Sequence, residues 1–401
     1  KFIPQRTRLS TYKQVGTAKM LRHASVNTVR AFRVAPAAQT AASSISVLDT
    51  ARGYSSLPIT YESLGPPGRH AVSGIQATVF GSTGFLGRYV VNELGEIGTR
   101  MVLPTRCNDQ SRTHLRVMGD LGQINFVDFA AMDKEDVRKV VAGSNVVVNM
   151  IGRELETSNF PFQKVHVDIA QNIAEAAKEA GVQKFVHVSA LGADANSPSE
   201  YYKSKAAGEA IVKEIFPSAS IVRPAIMYGW EDRFFNRIAM VTQTFPFLPL
   251  VDGGETKFQP VHVHDVAIGI KNILMSKETG LTYELAGPDA HSMQELVKLT
   301  CDTIREKPNT VVVPAMLAQL AVMPFETIGK AVPFPWSLPV AHGSFTTDAI
   351  KSLANDYVLS GEHPGFKELA VEPRKLEGLN IDYLRSFRSG GYDFGTEADK
   401  L

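Results

Sequence analysis

Cysteine is nearly missing from this chain. Its 401 residues contain only Cys107 and Cys301, far apart and without CxxC spacing. That argues against a disulfide framework and a zinc site, and it fits a reducing compartment. Also missing is any apolar run of the roughly 18–20 residues that span a bilayer. The nearest, Val311 to Phe325, is interrupted by Pro314 and Gln319, so no transmembrane segment is expected. No internal repeat occurs. Acid is missing locally: residues 1–54 hold nine Lys or Arg and one acid, Asp49, leaving 33 basic and 40 acidic residues elsewhere, net −7. A basic, Ser/Thr/Ala-rich, acid-poor stretch of this kind reads as a mitochondrial transit peptide. Arg52-Gly53-Tyr54-Ser55 has the form of a matrix-protease site cut after Tyr54. The rival reading, a nucleic-acid-binding arm, finds no support in the acidic remainder, and no nucleic-acid partner is expected.

Composition is otherwise that of a folded globular chain, 44% hydrophobic and 21% charged. A Gly/Pro-rich linker, 55–70, follows the presequence. From Ile75, β-rich runs near 75–80, 100–105, 124–127, 145–151, 184–189 and 219–223 alternate with helical patterns near 85–96, 133–142, 162–180 and 201–214. Such alternation predicts an α/β fold with a Rossmann-type doubly wound parallel sheet. The runs Val146-Val147-Val148 and Phe185-Val186-His187-Val188 read as central strands buried on both faces. After Pro224 the alternation breaks down. The expected organisation is an NADP(H)-binding domain over 71–224, a smaller interrupted substrate-side domain over 225–365 whose segment 261–287 returns to the sheet, and a C-terminal extension, 366–401. His262 and His264 share a face of the expected strand, and Asp265 is placed as the cap of the next helix. With no third ligand in view, the two histidines read as packing or hydrogen-bonding groups, and no metal is expected.

The chemistry starts at Ala77-Thr78-Val79-Phe80-Gly81-Ser82-Thr83-Gly84-Phe85-Leu86-Gly87-Arg88. Three glycines three apart, between a buried strand and a helix, allow a tight turn, approach of a pyrophosphate and close helix–strand packing. The helix start then offers free N–H groups to phosphate. Gly81, Thr83, Gly84, Phe85, Leu86 and Gly87 are therefore candidate cofactor contacts, with Ile151 at the end of the fourth strand. About twenty residues beyond the glycines, where NAD sites place an acid, stands Arg106. It can pair with a 2′-phosphate, with Arg88 as a second cation, so the cofactor is expected to be NADPH. Asp109 keeps NAD open as an alternative, as does a solvated role for both arginines. Asp128 is a candidate acceptor for the adenine amine, a helix cap or a solvent-facing acid.

Tyr201 and Lys205 stand four apart on a helix and so share a face. A neighbouring ammonium is expected to lower the tyrosine pKa, and the lysine can also bond the nicotinamide ribose. Ser189, ending the preceding strand, can orient a carbonyl or the phenol. Ser189, Tyr201 and Lys205 are thus the catalytic candidates, with Tyr201 and Lys205 equally candidates for holding cofactor.

Gly81-x-x-Gly84-x-x-Gly87, Tyr201-x-x-x-Lys205, Arg223-Pro224 with Tyr228-Gly229, and Val263-His264-Asp265-Val266 resemble the extended or atypical short-chain dehydrogenases. More narrowly, Val72 to Ile75, Arg106-Cys107, Met118 to Gln123, Asn149 to Arg153 and Gly229 to Phe234 resemble the nucleotide-binding accessory subunits of mitochondrial complex I, the NADH:ubiquinone oxidoreductase alpha-subcomplex subunit 9 family. The match is dense from about 69 to 300. This resemblance implies a matrix-side protein of the inner membrane, partnered by other complex I subunits near the junction of its two arms. It further implies tightly held NADPH and no catalytic step of its own. Val165-His166-Val167-Asp168 departs from active extended enzymes, many of which carry Asn there. Two further readings stand beside this one: a free NADPH-dependent reductase or epimerase using Ser189, Tyr201 and Lys205, and an NADPH redox sensor. The apolar segments Thr310 to Phe325 and Phe334 to Val340 are read either as a surface for lipid or partner contact or as substrate-domain core.

Overall fold

The computed structural model describes residues 72–157, 159–331, 346–353 and 355–388, with Gly68. The expected presequence, the rest of the linker, Phe334 to Val340 and the end of the C-terminal extension lie outside the described residues.

Short runs of β-branched and small apolar residues form the central strands β1 (Gln76–Phe80), β2 (Arg100–Thr105), β3 (Ile124–Asp128), β4 (Val146–Asn149), β5 (Lys184–Val188) and β6 (Ser220–Pro224). The smaller region contributes β7 (Met227–Tyr228), β8 (Leu248–Val251), β9 (Lys257–Phe258), β10 (Val261–His262), β11 (Thr282–Leu285), β12 (His291–Ser292) and β13 (Thr310–Val313). Seven strands make one sheet in the order β3-β2-β1-β4-β5-β6-β11, every pair parallel. The order reverses between β1 and β4, the switch point where doubly wound sheets bind ligands. Three two-stranded pairs, β7 with β10, β9 with β12 and β8 with β13, sit outside it.

Helices are α1 (Phe85–Glu96), α2 (Asp109–Arg116), α3 (Lys134–Val141), α4 (Ile169–Glu179), α5 (Glu200–Ile215), α6 (Phe235–Thr244), α7 (Val263–Met275), α8 (Met293–Ile304), α9 (Ala315–Ala331) and α10 (Thr347–Ser352). Alternate residues of each strand feed opposite cores, as the two-residue side-chain period requires. Ala77, Val79, Val146 and Val148 face α1 and α7, whereas Phe80, Val147 and Phe185 face α3, α4 and α5. A third core, around Tyr228, Phe235, Leu250, Phe258 and Leu296, holds the smaller region.

Two local expectations change. A short helix, α2, stands between β2 and β3, where no helical pattern was evident. Its residues are almost wholly polar and only Leu115 is buried, so there is little hydrophobic period to detect. The strand read through His264 ends at His262, and α7 begins at Val263. His262, not Asp265, is its cap, its side chain accepting the His264 N–H. Asp265 lies inside the first turn and accepts the Arg374 N–H at 2.8 Å, with the guanidinium at 3.2 Å. The two histidines therefore do not share a strand face, and among the described residues no cluster suits a metal ion.

α1 and α7 are joined across their apolar contact by the buried Glu93, which meets Lys271 and has His264 Nδ1 at 3.3 Å. Removing one partner of a buried ion pair leaves an uncompensated charge and costs about 3 kcal/mol or more. Lys271→Met is expected to destabilise the chain by about that amount, read as a lower urea midpoint. Lys271→Met with Glu93→Gln should recover most of the loss.

Candidate functional site

The β1–α1 connection leaves no room for side chains. Gly81 takes a φ of +81°, and a methyl group on it would lie 2.9 Å from the Met150 carbonyl oxygen. One on Gly87 would lie 2.2 Å from the Gly81 carbonyl oxygen. The Gly84 N–H closes the turn by donating to that carbonyl at 3.0 Å. Gly84 then caps α1 without a side chain, and no acid stands in the first turn, so the helix dipole there is uncompensated. A backbone of this kind is a ready site for a phosphate.

This turn lines one end of a cavity of about 430 Å³, through Gly81, Gly84, Phe85, Leu86 and Gly87. Ser189, Tyr201 and Lys205 line the same cavity, so the two sequence constellations meet in one cleft. Lys205 Nζ donates to the Val188 carbonyl at 3.4 Å and lies 6.0 Å from the centroid of the Tyr201 ring. Burial pushes the lysine down to about 8. The tyrosine moves opposite to the expectation. Burial, then the nearby Glu154 and Tyr357, raises its pKa well above the usual phenol value. The ammonium stands over the ring, and desolvation of the phenolate dominates. Ser189 Oγ is buried with no hydrogen-bond partner among the described residues.

His166 lies in the Val165-His166-Val167-Asp168 stretch and is buried beside α5. It accepts the Arg153 N–H at 3.2 Å on Nε2 and pairs with Ser204 Oγ at 2.8 Å on Nδ1. Burial, with Lys205 close by, drives its pKa down to about 2, so the ring stays neutral. A π-helical turn, Gln163–Asp168, presents it ahead of α4. That turn fits tightly against α5, because a methyl group on Gly208 would lie 2.3 Å from the His166 carbonyl oxygen.

Part of the cavity wall comes from far along the chain. Asp348 accepts from Ser199 Oγ and the Glu200 N–H, each at 2.7 Å, and from the Tyr201 N–H at 3.2 Å. A carboxylate from α10 thus caps α5, the helix that carries Tyr201 and Lys205. Tyr357 stacks on Tyr202 with centroids 4.9 Å apart, in the same wall. Arg153, Arg233, Arg237 and Glu154 line another side of the cavity.

A second cavity, of about 420 Å³, holds Arg106 and Asp128 together with Cys107, Asp109 and Arg112. Arg106 lies over the Phe160 ring at 5.6 Å, with Arg153 over the same ring at 5.9 Å. Asp128 accepts from Arg112 at 2.9 Å. Arg88 is not brought beside Arg106; its guanidinium pairs with Glu231 at 3.2 Å. Thr83 meets Cys107 Sγ at 3.9 Å. Ile151 packs into the core under the sheet, whereas its neighbours Met150 and Gly152 line the larger cavity.

Sequence reasoning missed Arg112, Arg153, Asp348 and Tyr357. Arg153 had a signal, since it stands four residues after the fourth strand, at the switch point. Asp348 and Tyr357 had none, because they reach the site only through tertiary packing.

A sequence family described as NAD(P)H-binding matches residues 81–243. The mitochondrial NADH dehydrogenase [ubiquinone] 1 alpha subcomplex subunit 9 of Arabidopsis thaliana is 43% identical over 341 residues, covering 84% of each chain. Its Mus musculus counterpart is 42% identical over 332 residues, covering 81% of this chain and 84% of the other. Among solved structures, the dTDP-glucose 4,6-dehydratase DesIV of Streptomyces venezuelae, with NAD and TYD bound, superposes with a TM-score of 0.57. It is 17% identical and covers 78% of this chain and 96% of that one, a likeness of fold alone.

The displaced lysine has a measurable consequence. Between pH 8 and the ordinary lysine value of 10.5, the unfolded chain keeps a proton that folded Lys205 has released. Stability therefore rises with pH across that window, and below it the cost of burying the charge is constant. Lys205→Met is expected to lower this slope by about 1.4 kcal/mol per pH unit. Denaturant unfolding between pH 7.5 and 10.5 measures it, and Lys184, also pushed down by burial to about 8, supplies a residual slope.

Proposed function

This chain belongs to the family of the mitochondrial NADH dehydrogenase [ubiquinone] 1 alpha subcomplex subunit 9, and we propose that it is an accessory subunit of complex I that holds NADPH as a structural ligand. The observation that carries the reading is a pair of neighbouring cavities: a helix start without a side-chain cap lines one, Arg106 lines the other, and Thr83 of the glycine turn meets Cys107 of the second at 3.9 Å. The helix start suits a pyrophosphate and Arg106 suits a 2′-phosphate. A nucleotide bound only by the folded chain adds stability by mass action, which is all that a structural role requires.

On this reading residues 1–54 direct the chain to the mitochondrial matrix, and the mature protein sits peripherally on the inner membrane near the membrane-arm junction. The start of α9 supports an attachment face there: Met316, Leu317, Leu320 and Met323 are exposed, beside exposed Val311 and Val312 of β13. Other complex I subunits, or the lipid surface next to them, would cover it. In the cleft, Ser189, Tyr201 and Lys205 serve chiefly to seat the nicotinamide ribose. The raised Tyr201 pKa, the neutral His166 and the α10 carboxylate that fixes the start of α5 all favour holding over turnover.

Arg106→Glu is expected to weaken NADPH binding by at least about tenfold, the loss of one charge-assisted hydrogen bond. It should also lower the amount of the chain that comigrates with complex I on native gels. A variant that loses the nucleotide and still assembles fully would show that NADPH is not structural.

A second reading, a free NADPH-dependent reductase or epimerase, is favoured by the convergence of Ser189, Tyr201 and Lys205 on one cavity. A positioned tyrosine acid contributes roughly 10²–10⁴-fold to such a reaction. Tyr201→Phe separates the two. Under the structural reading no metabolite conversion is lost. A lost metabolite conversion with intact assembly would favour the enzyme.

A further inference from the structure

Four charged side chains converge where the second cavity opens between the end of β2 and α2. We propose that Arg112 sets the preference for NADPH over NADH by cancelling Asp109 and Asp128, a role that rests on the reading of this cleft as an NADPH site.

Arg112 is not a pendant surface arginine. Its side chain is 13% exposed, against 71% for Asp109 and 79% for Asp128. Its Nε donates to Asp109 Oδ1 at 2.7 Å, and its Nη2 reaches the same oxygen. Its Nη1 donates to Asp128 at 2.9 Å and to Thr105 Oγ1 at 3.0 Å. The guanidinium also lies over the Phe126 ring at 5.2 Å. Thr105 is the last residue of β2 and the neighbour of Arg106, so these bonds fix Arg112 at the lip of the proposed 2′-phosphate position.

The charge count follows. Arg116 approaches Asp109 at 3.5 Å, so Arg112 and Arg116 balance Asp109 and Asp128, and the four together carry no net charge. Arg106, which has no carboxylate partner among the described residues, is left as the uncompensated cation of the cavity. Without Arg112 the balance turns negative. Asp128 then stands without a cation and Asp109 keeps only Arg116 at 3.5 Å, so a net negative charge lies near the end of the second strand, the arrangement that accepts a ribose 2′-hydroxyl and repels a 2′-phosphate. One arginine thus separates an NADPH site from an NADH site in the same loop. Arg112 acts here as a positioning residue, through the acids that it holds.

The test is titration of the full chain with NADPH and, separately, NADH, read by nucleotide fluorescence, with the ratio of the two affinities as the measured quantity. The wild-type chain should favour NADPH. Arg112→Gln should lower the ratio at least tenfold with NADH affinity retained, the latter reporting an intact fold. Arg112→Gln combined with Asp109→Asn and Asp128→Asn should restore it. An unchanged ratio in Arg112→Gln overturns the inference, as does a lowered ratio that the added Asn substitutions fail to recover. If Arg112→Gln does not fold, Asp109→Asn with Asp128→Asn in the wild-type background decides: a higher ratio supports the cancellation and an unchanged one overturns it. A wild-type chain that binds both nucleotides equally, or neither, instead refutes the choice of NADPH on which the inference rests.

Discussion

A single methyl group at Gly87 would lie 2.2 Å from the Gly81 carbonyl oxygen, and the whole cleft depends on that close approach. It brings the start of α1 against the end of β1 at the sheet's switch point. It leaves the first turn of α1 with no side-chain cap. The turn lines the cavity that holds Tyr201 and Lys205, and its Thr83 meets Cys107 of the second cavity, where Arg106 stands. The requirement is steric before it is chemical, since any side chain there would force the backbone apart.

The fold was largely legible because its signals are local. Val146-Val147-Val148 can only be a strand buried on both faces, and the strands that alternate with helices leave few topologies to consider. The glycine turn was legible for the same reason, being written in consecutive residues. The polar helix α2 was not, because Asp109 to Arg116 buries one leucine and shows no apolar period. The position of Asp265 was misread because a capping residue and a first-turn acid look alike in sequence. His262 takes the cap, and Asp265 turns to Arg374, more than a hundred residues on.

In the site, the sequence places Tyr201 beside Lys205 and misjudges one property. The spacing of Tyr201 and Lys205 does place them on one face. It could not report that both are buried, and burial moves an acid and a base in opposite directions on the pKa scale. The phenol becomes harder to ionise while the ammonium becomes easier to neutralise. Attraction between the two charged forms would have to exceed both penalties. The charges around Arg106 follow another logic, since there the partners are exposed and the balance is set by counting neighbours rather than by desolvation.

The cap that Asp348 places on α5 also orders events in time. The three bonds that it accepts span 147 to 149 residues of sequence. As the chain emerges from a ribosome, the helix with Tyr201 and Lys205 must exist for many seconds with its first turn unsatisfied, at synthesis rates of roughly 5–20 residues per second. β11 completes the sheet in that interval, but the cap arrives only when α10 has been made. The cleft is therefore among the last parts of the molecule to be finished, and a chain truncated before residue 348 would carry the glycine turn without the cap on the helix of Tyr201 and Lys205.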